Sequence, residues 1–342
     1  MRRRVAVSVV LPVHNGAAFL RPSIESVLEQ TCGDFELIVI DDGSTDATPE
    51  LLADYAARDR RVSIQRHETN QGLCAALNRG LAAATGRYIA RQDADDVCFQ
   101  GRLEAQKSYL DDHTDVGLLG AGRIDVDARG LPARSCLYPP TDTGIRWRML
   151  LHNPFCHTAV MFRRGLLERE PEGYRAAYLY AEDYDLWTRL LKHTRGANLQ
   201  EPLVLHRLHQ ASISMKRQAD QERLSTAIAA GQIAALGIDP PVTEPLVGRL
   251  RRWTADFPAR IADEDLPLCA SFLRILAAFG RQNGHDREVV ARIQSCWLAR
   301  IRSAAGEAGW SRLRAAGDTG GPSADPTAGD PNLETLLCPN PT

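Results

Sequence analysis

Apolar residues fall into two rhythms along this chain. In the first half a continuous apolar, β-branched run at 5–11 is followed by further short strand-like stretches at 35–40, 62–66, 87–91 and 116–120. Such runs predict strands covered on both faces. Between them the apolar spacing shifts to three and four. Leu20, Ile24, Val27 and Leu28 mark one helix, Leu51, Leu52 and Tyr55 a second, and the stretches 72–84 and 102–110 two more. Strand and helix alternate across short loops, which predicts a doubly wound, mainly parallel α/β sheet. Further on, 145–151 reads as helix, 158–162 as strand, 184–193 as helix and 202–208 as a last strand. After Ser214 only helical spacing remains, at 221–236, 245–257, 267–279 and 287–304.

That change of rhythm sets the expected organisation: an α/β domain over 1–213, a small helical domain over 214–316 and a tail over 317–342. The tail is rich in glycine and proline, has no lysine or arginine, and carries Asp318, Asp325, Asp330 and Glu334. That is the composition of an acidic, disordered segment.

Bulk numbers narrow the function classes. With 342 residues and a formal net charge of −2, the chain lacks the basic excess of a nucleic-acid binder. Its eight cysteines include no C-x-x-C pair, which removes zinc-ribbon and thioredoxin readings. Scattered thiols fit a reducing, cytoplasmic setting. Arg2-Arg3-Arg4 before an apolar run has the outline of a signal peptide. The run ends at Pro12 and His14-Asn15 without a small-residue cleavage site, so a buried first strand is the better reading. No apolar stretch approaches the roughly 20 residues that cross a bilayer.

Ligands of open α/β sheets bind beyond the carboxyl ends of the strands. Three polar loops fall there: Pro12-Val13-His14-Asn15-Gly16, Asp41-Asp42-Gly43-Ser44-Thr45-Asp46, and Gln92-Asp93-Ala94-Asp95-Asp96. Three carboxylates within four residues repel one another unless a cation or hydrogen-bond donors neutralise them. Mg²⁺ or Mn²⁺ takes one or two carboxylates together with substrate phosphates. The plainer reading is a solvated acidic turn, and for an isolated D-x-D it is the better one. Placement between a buried strand and a helix favours a site. At Asp41-Asp42-Gly43-Ser44 the plainer reading is an Asx-type turn with a helix cap. One cap leaves Asp42 unexplained, and its carboxylate suits a nucleobase N–H.

These segments, with Asn70-Gln71-Gly72 and Glu182-Asp183-Tyr184-Asp185-Leu186-Trp187, resemble the family 2 glycosyltransferases of the GT-A fold, in the right order across residues 5 to 212. The resemblance implies a Rossmann-like nucleotide-diphospho-sugar transferase fold followed by helices. It implies an inverting, metal-dependent transfer of one sugar, from a UDP-sugar by preference, to a sugar, lipid-linked or protein acceptor hydroxyl in cell-surface polysaccharide or glycoconjugate synthesis. Pro12, Val13 and Asn15 then wrap the nucleoside, Asp42 reads the pyrimidine, Gly72 lies in the donor site, and Asp93 and Ala94 lie near the ribose. Asp95 binds Mn²⁺ or Mg²⁺ and bridges to the pyrophosphate, with His209 as a second metal ligand. Asp183 is the catalytic base and Glu182 its support. His157 and Arg207 are phosphate or substrate contacts, weighed against a satisfied histidine and a structural arginine.

The motif Q-x-x-R-W of processive synthases is absent, which favours single-sugar transfer. Two rivals remain. A nucleotidyltransferase calls for a glycine-rich basic loop after the first strand, where this chain has only Gly16 and no lysine. A nucleotide-sugar binder without catalysis calls for loss of Asp95 or Asp183, and both are present. A dehydrogenase calls for G-x-G-x-x-G, which is missing. The helical domain offers Arg249, Arg251 and Arg252 for peripheral contact with anionic lipid at the inner membrane face, against the plainer reading of a solvated charged face.

Overall fold

The computed structural model describes residues 5–209 and 217–316. It divides into two compact units, Met1–Tyr138 with Phe155–Gln221, and Pro139–Pro154 with Glu222–Thr342. The expected tail, the Arg2-Arg3-Arg4 stretch and the serines after His209 lie outside the described residues.

The first unit is built on one sheet. Its strands are β1 (Val7–Val13), β2 (Phe35–Asp41), β3 (Val62–Arg66), β4 (Tyr88–Arg91), β5 (Val97–Cys98), β6 (Val116–Val126), β7 (Pro132–Cys136), β8 (Met161–Arg163) and β9 (Arg195–Arg207), in the order β3-β2-β1-β4-β8-β6-β9-β5, with β7 on β6. Its main helices are α1 (Ala17–Leu28), α2 (Thr48–Arg58), α3 (Leu73–Ala83) and α4 (Arg102–Asp112). All seven residues of β1 are buried. This explains its continuous apolar run, since α3 and its neighbours cover one face and α1 the other.

The parallel expectation holds for β1 to β4 and stops there. β1 pairs in parallel with β2 and β4, and β2 with β3. β8 joins β4 and β6 antiparallel, β5 joins β9 antiparallel, and β6 carries the antiparallel β7. Only β6 and β9 restore a parallel pair. The strand expected at 158–162 begins late, because His157–Ala159 forms a 3-10 turn before β8.

The second unit holds α5 (Asp142–Met149) and the helices α7 (from Gln218 to Ala234), α8 (Glu244–Ala255), α9 (Leu266–Gln282) and α10 (Arg287–Ala316), while α6 (Glu182–Leu190) belongs to the first. Trp147, Leu150 and Leu151 share a core with Val247, Phe272 and Ile293. The segment around α5 therefore groups with the late helices and not, as the 213/214 boundary has it, with the sheet. Eight residues of helix are too few to show in sequence which core they serve. The last helix also runs beyond 304 and breaks at Gly306, whose φ of 64 lies in the left-handed region.

Candidate active site

The site forms where β1, β2 and β4 end. The loops after β1 and β2 are stitched together. The Asp42 N–H donates to the Val13 carbonyl at 2.8 Å, and the Asn15 N–H to Ser44 Oγ at 2.9 Å. Asn15 Oδ1 accepts from the Thr45 and Asp46 N–H groups at 2.8 and 3.3 Å. Asn15 is held at φ 53. That is a conformation asparagine tolerates better than most residues. Gly43, at φ 69, approaches the Thr69–Asn70 backbone so closely that a Cβ would lie 2.5 Å from the Thr69 carbonyl carbon.

Asp42 is buried and fully engaged. Oδ1 accepts from His67 Nδ1 at 2.6 Å and from the Gln71 N–H at 2.9 Å, and Oδ2 accepts from the Gly72 N–H at 2.8 Å. His67, 5% exposed, went unnoticed in the sequence because nothing local links positions 42 and 67. Gly72 itself sits at φ 91 as it opens α3.

The loop after β4 is held by side-chain charge instead. Arg91, at the end of β4 and only 2% exposed, donates from Nη2 to Asp93 Oδ1 at 2.6 Å, from Nη1 to the Gln92 carbonyl, and from Nε to His157 Nε2 at 3.2 Å. Burial works against the Asp93 charge, and Arg91 outweighs it, so its pKa falls below the usual range. Burial and then Arg91 push His157 down to about 3, which leaves a neutral ring whose Nε2 is an acceptor. Tyr174 Oη lies 3.0 Å from the same nitrogen. Beneath, Arg102 binds Gln92, Gln106 and the Arg91 carbonyl, a wholly structural role.

The end of β9 closes over this loop. His209 Nε2 lies 2.9 Å from Asp95 Oδ2. The Arg207 N–H donates to Asp96 Oδ1 at 2.8 Å, and its guanidinium donates to the carbonyls of Asp95, Asp127 and Ala128. Arg207 is therefore a brace of the acidic loop, with Phe19 under its guanidinium at 5.2 Å. Burial and then the Asp93 charge raise the Asp95 carboxyl. A cation placed between Asp95 and His209 would offset the repulsion between Asp95 and Asp93. Among the described residues no group of three or more such ligands assembles. The pair therefore fits a hard cation that takes its other positions from phosphates and water.

Glu182 and Asp183 open α6. Glu182 is buried, and Oε2 accepts from the Tyr180 N–H at 2.6 Å across a turn in which Tyr180 has φ 82. Burial, then the Asp183 charge, pushes Glu182 up to about 7. Asp183 Oδ1 accepts from the Tyr184 N–H at 2.7 Å. Two residues on, Asp185 leaves the chemistry and joins a buried ion network: Oδ2 accepts from Arg175 Nε at 3.0 Å and from Arg189 Nη2 at 2.9 Å, and Arg189 reaches Glu170 at 2.8 Å. The network fastens the loop that carries Tyr174 to α6.

Strand-end loops of this kind, acidic and lying over a parallel β1–β4 core, mark the ligand-binding edge of an open α/β sheet. The model of the family "Glycosyl transferase family 2" matches residues 8–170. EpsE of Bacillus subtilis, by its name a glycosyltransferase, is 38% identical over 226 residues, covering 65% of this chain and 79% of that protein. The O-antigen biosynthesis glycosyltransferase WbnJ of Escherichia coli is 33% identical over 226 residues, covering 65% and 87%. The chain thus belongs to glycosyl transferase family 2 and is a glycosyltransferase. Solved structures share the fold. TarS 1-349 of S. aureus in complex with UDP-GlcNAc aligns at TM-score 0.55 and 18% identity over 93% of each chain. A mannosyltransferase of Pyrobaculum calidifontis in complex with GDP-Man and Mn²⁺ aligns at TM-score 0.54 and 17% identity, over 92% of this chain and 80% of that one. No described helix is long and apolar enough to cross a membrane.

Proposed function

We propose that this glycosyltransferase moves one sugar from a nucleoside diphosphate, UDP by preference, to an acceptor hydroxyl with inversion, supported by Mn²⁺ or Mg²⁺, in polysaccharide or glycoconjugate synthesis. The observation that carries the reading is the meeting of two acidic groups at one sheet edge. One is Asp93-Ala94-Asp95 with His209; the other is Glu182-Asp183 on α6, whose Trp187 packs on the His157 and Tyr174 rings that Arg91 links to Asp93. WbnJ's name supports the polysaccharide setting. The UDP-GlcNAc complex of TarS and the GDP-Man and Mn²⁺ complex of the mannosyltransferase support the donor and cation classes.

Asp95 and His209 would hold the cation, which offsets the charge that builds on a leaving diphosphate. The chain's own residues do the rest. Pro12, Val13, Asn15 and Gly72 line the nucleoside end. Asp42 reads a base N–H by exchanging it for the Gln71 N–H. Asp183 accepts the acceptor hydroxyl's proton as the new oxygen–carbon bond forms and the bond to the diphosphate breaks. Attack from the side opposite the leaving group, with no enzyme nucleophile between, inverts the anomeric centre. Glu182 fixes the turn before α6 and so places Asp183.

Asp183→Asn should keep nucleotide binding by calorimetry while turnover falls about a thousandfold, the scale of a lost general base. Wild-type turnover in Asp183→Asn would reassign the base.

A further inference from the structure

Arg91 is a fixed cation that binds Asp93 directly and is felt electrostatically by Glu182, and the mechanism above gives it no part. It is buried, and it spends three donors on three different partners: Asp93 Oδ1, the Gln92 carbonyl and His157 Nε2. His157 accepts on its single lone pair from Arg91 and lies 3.0 Å from Tyr174 Oη. Tyr174 is fixed in turn at both backbone ends by Asn78, with its N–H donating to Oδ1 and its carbonyl accepting from Nδ2, each at 2.8 Å. Trp187 of α6 lies edge-on to both rings, at 5.9 Å from His157 and 6.2 Å from Tyr174. A chain of contacts thus runs from Asp93 to the helix that carries Asp183. Among the described residues Asp93 Oδ1 is committed to Arg91, and Oδ2 makes no hydrogen bond.

We propose that Arg91 is a positioning residue for donor binding: it holds the Asp93 carboxylate in one orientation, so that the oxygen it does not use is presented to the nucleotide. The inference rests on the transferase reading and deepens it. A guanidinium suits the task because its fork serves a carboxylate and an imidazole at once, which a lysine ammonium on a single stem does not. The role is one of orientation and is local. It predicts that the effect of altering Arg91 passes through Asp93 and disappears when the Asp93 carboxylate has been replaced.

The test is a double-mutant cycle on UDP affinity, by isothermal titration of the full chain with Mn²⁺. Arg91→Met and Asp93→Asn should each weaken UDP about ten- to a hundredfold, the scale of one hydrogen bond to a charged group. The double variant should bind no worse than the weaker single. Losses that multiply, or an Arg91→Met chain that binds UDP like the wild type, overturn the assignment. If Arg91→Met melts out, Arg91→Lys replaces it. Its loss in affinity should vanish in the Asp93→Asn background, and an equal loss in both backgrounds overturns the assignment. Failure of the wild type to bind UDP, GDP, CDP or dTDP breaks the transferase reading itself, and so is distinguished from failure of the Arg91 role.

Discussion

Asp42, after β2, gives both oxygens to the protein: two backbone N–H groups and His67 saturate it. Asp95, after β4, shares one oxygen with His209 and is raised by burial and by the charge of Asp93. Both loops are acidic, both follow buried parallel strands, and both resemble donor-binding segments. One carboxylate is stabilised by the fold and the other is strained by it. A carboxylate satisfied by backbone donors needs no ligand to be stable, whereas one crowded by like charge becomes favourable when a cation arrives. The first kind offers a ligand a preset surface, and the second gains stability from its ligand.

Substitutions can break this contrast. The largest effect is expected at Asp95→Ala, which should lower kcat/KM about a thousandfold and abolish Mn²⁺-dependent nucleotide binding while leaving the melting temperature unchanged or raised. A chain so altered that still binds nucleotide in a metal-dependent way would move the cation elsewhere. Next comes Asp42→Ala, which strands two backbone N–H groups and His67. It should cost about 3 kcal/mol in urea unfolding. Full stability with lost UDP binding would make Asp42 a binder and not a strut.

The smallest effect concerns Glu182. Its folded pKa, pushed up to about 7 by burial and then by the Asp183 charge, lies above the ordinary glutamate value of 4.5. A raised carboxyl stabilises the fold fully below the unfolded pKa, and that contribution is lost as pH rises through the folded value. Between pH 5 and 8, in EDTA, the wild type should therefore lose on the order of 2 kcal/mol. Glu182→Gln should flatten that slope, and an unchanged slope in the variant removes Glu182 as its source.

The parallel half of the sheet could be read from the sequence because β1, β2 and β4 are mainly buried apolar runs, and β3, Val-Ser-Ile-Gln-Arg, alternates. The mixed half could not. β5 is two residues long, and β7, Pro-Ala-Arg-Ser-Cys, is almost wholly exposed and has no apolar alternation. The acidic loops were visible as local clusters, and the motif order singled out Asp93, Asp95 and Glu182-Asp183 as candidates. Arg91 had one signal, a lone charge ending an otherwise apolar strand, but its meaning depends on His157 and Tyr174, 66 and 83 positions away. Arg207 was expected at a phosphate, and the described bonds hold it on the acidic loop instead. A side chain that braces a loop and one that binds an anion have the same sequence signature.

The edge-on packing of Trp187 gives the molecule an optical property. Of five tryptophans, Trp147, Trp253, Trp297 and Trp310 belong to the helical unit, and Trp187 alone to the unit that carries the acidic loops. Its indole lies against the His157 and Tyr174 rings. In a chain with the other four replaced by phenylalanine, ultraviolet emission would come from a fluorophore built into the joint between the two acidic groups. Its intensity could then be followed in time without a label as nucleotide and acceptor are mixed.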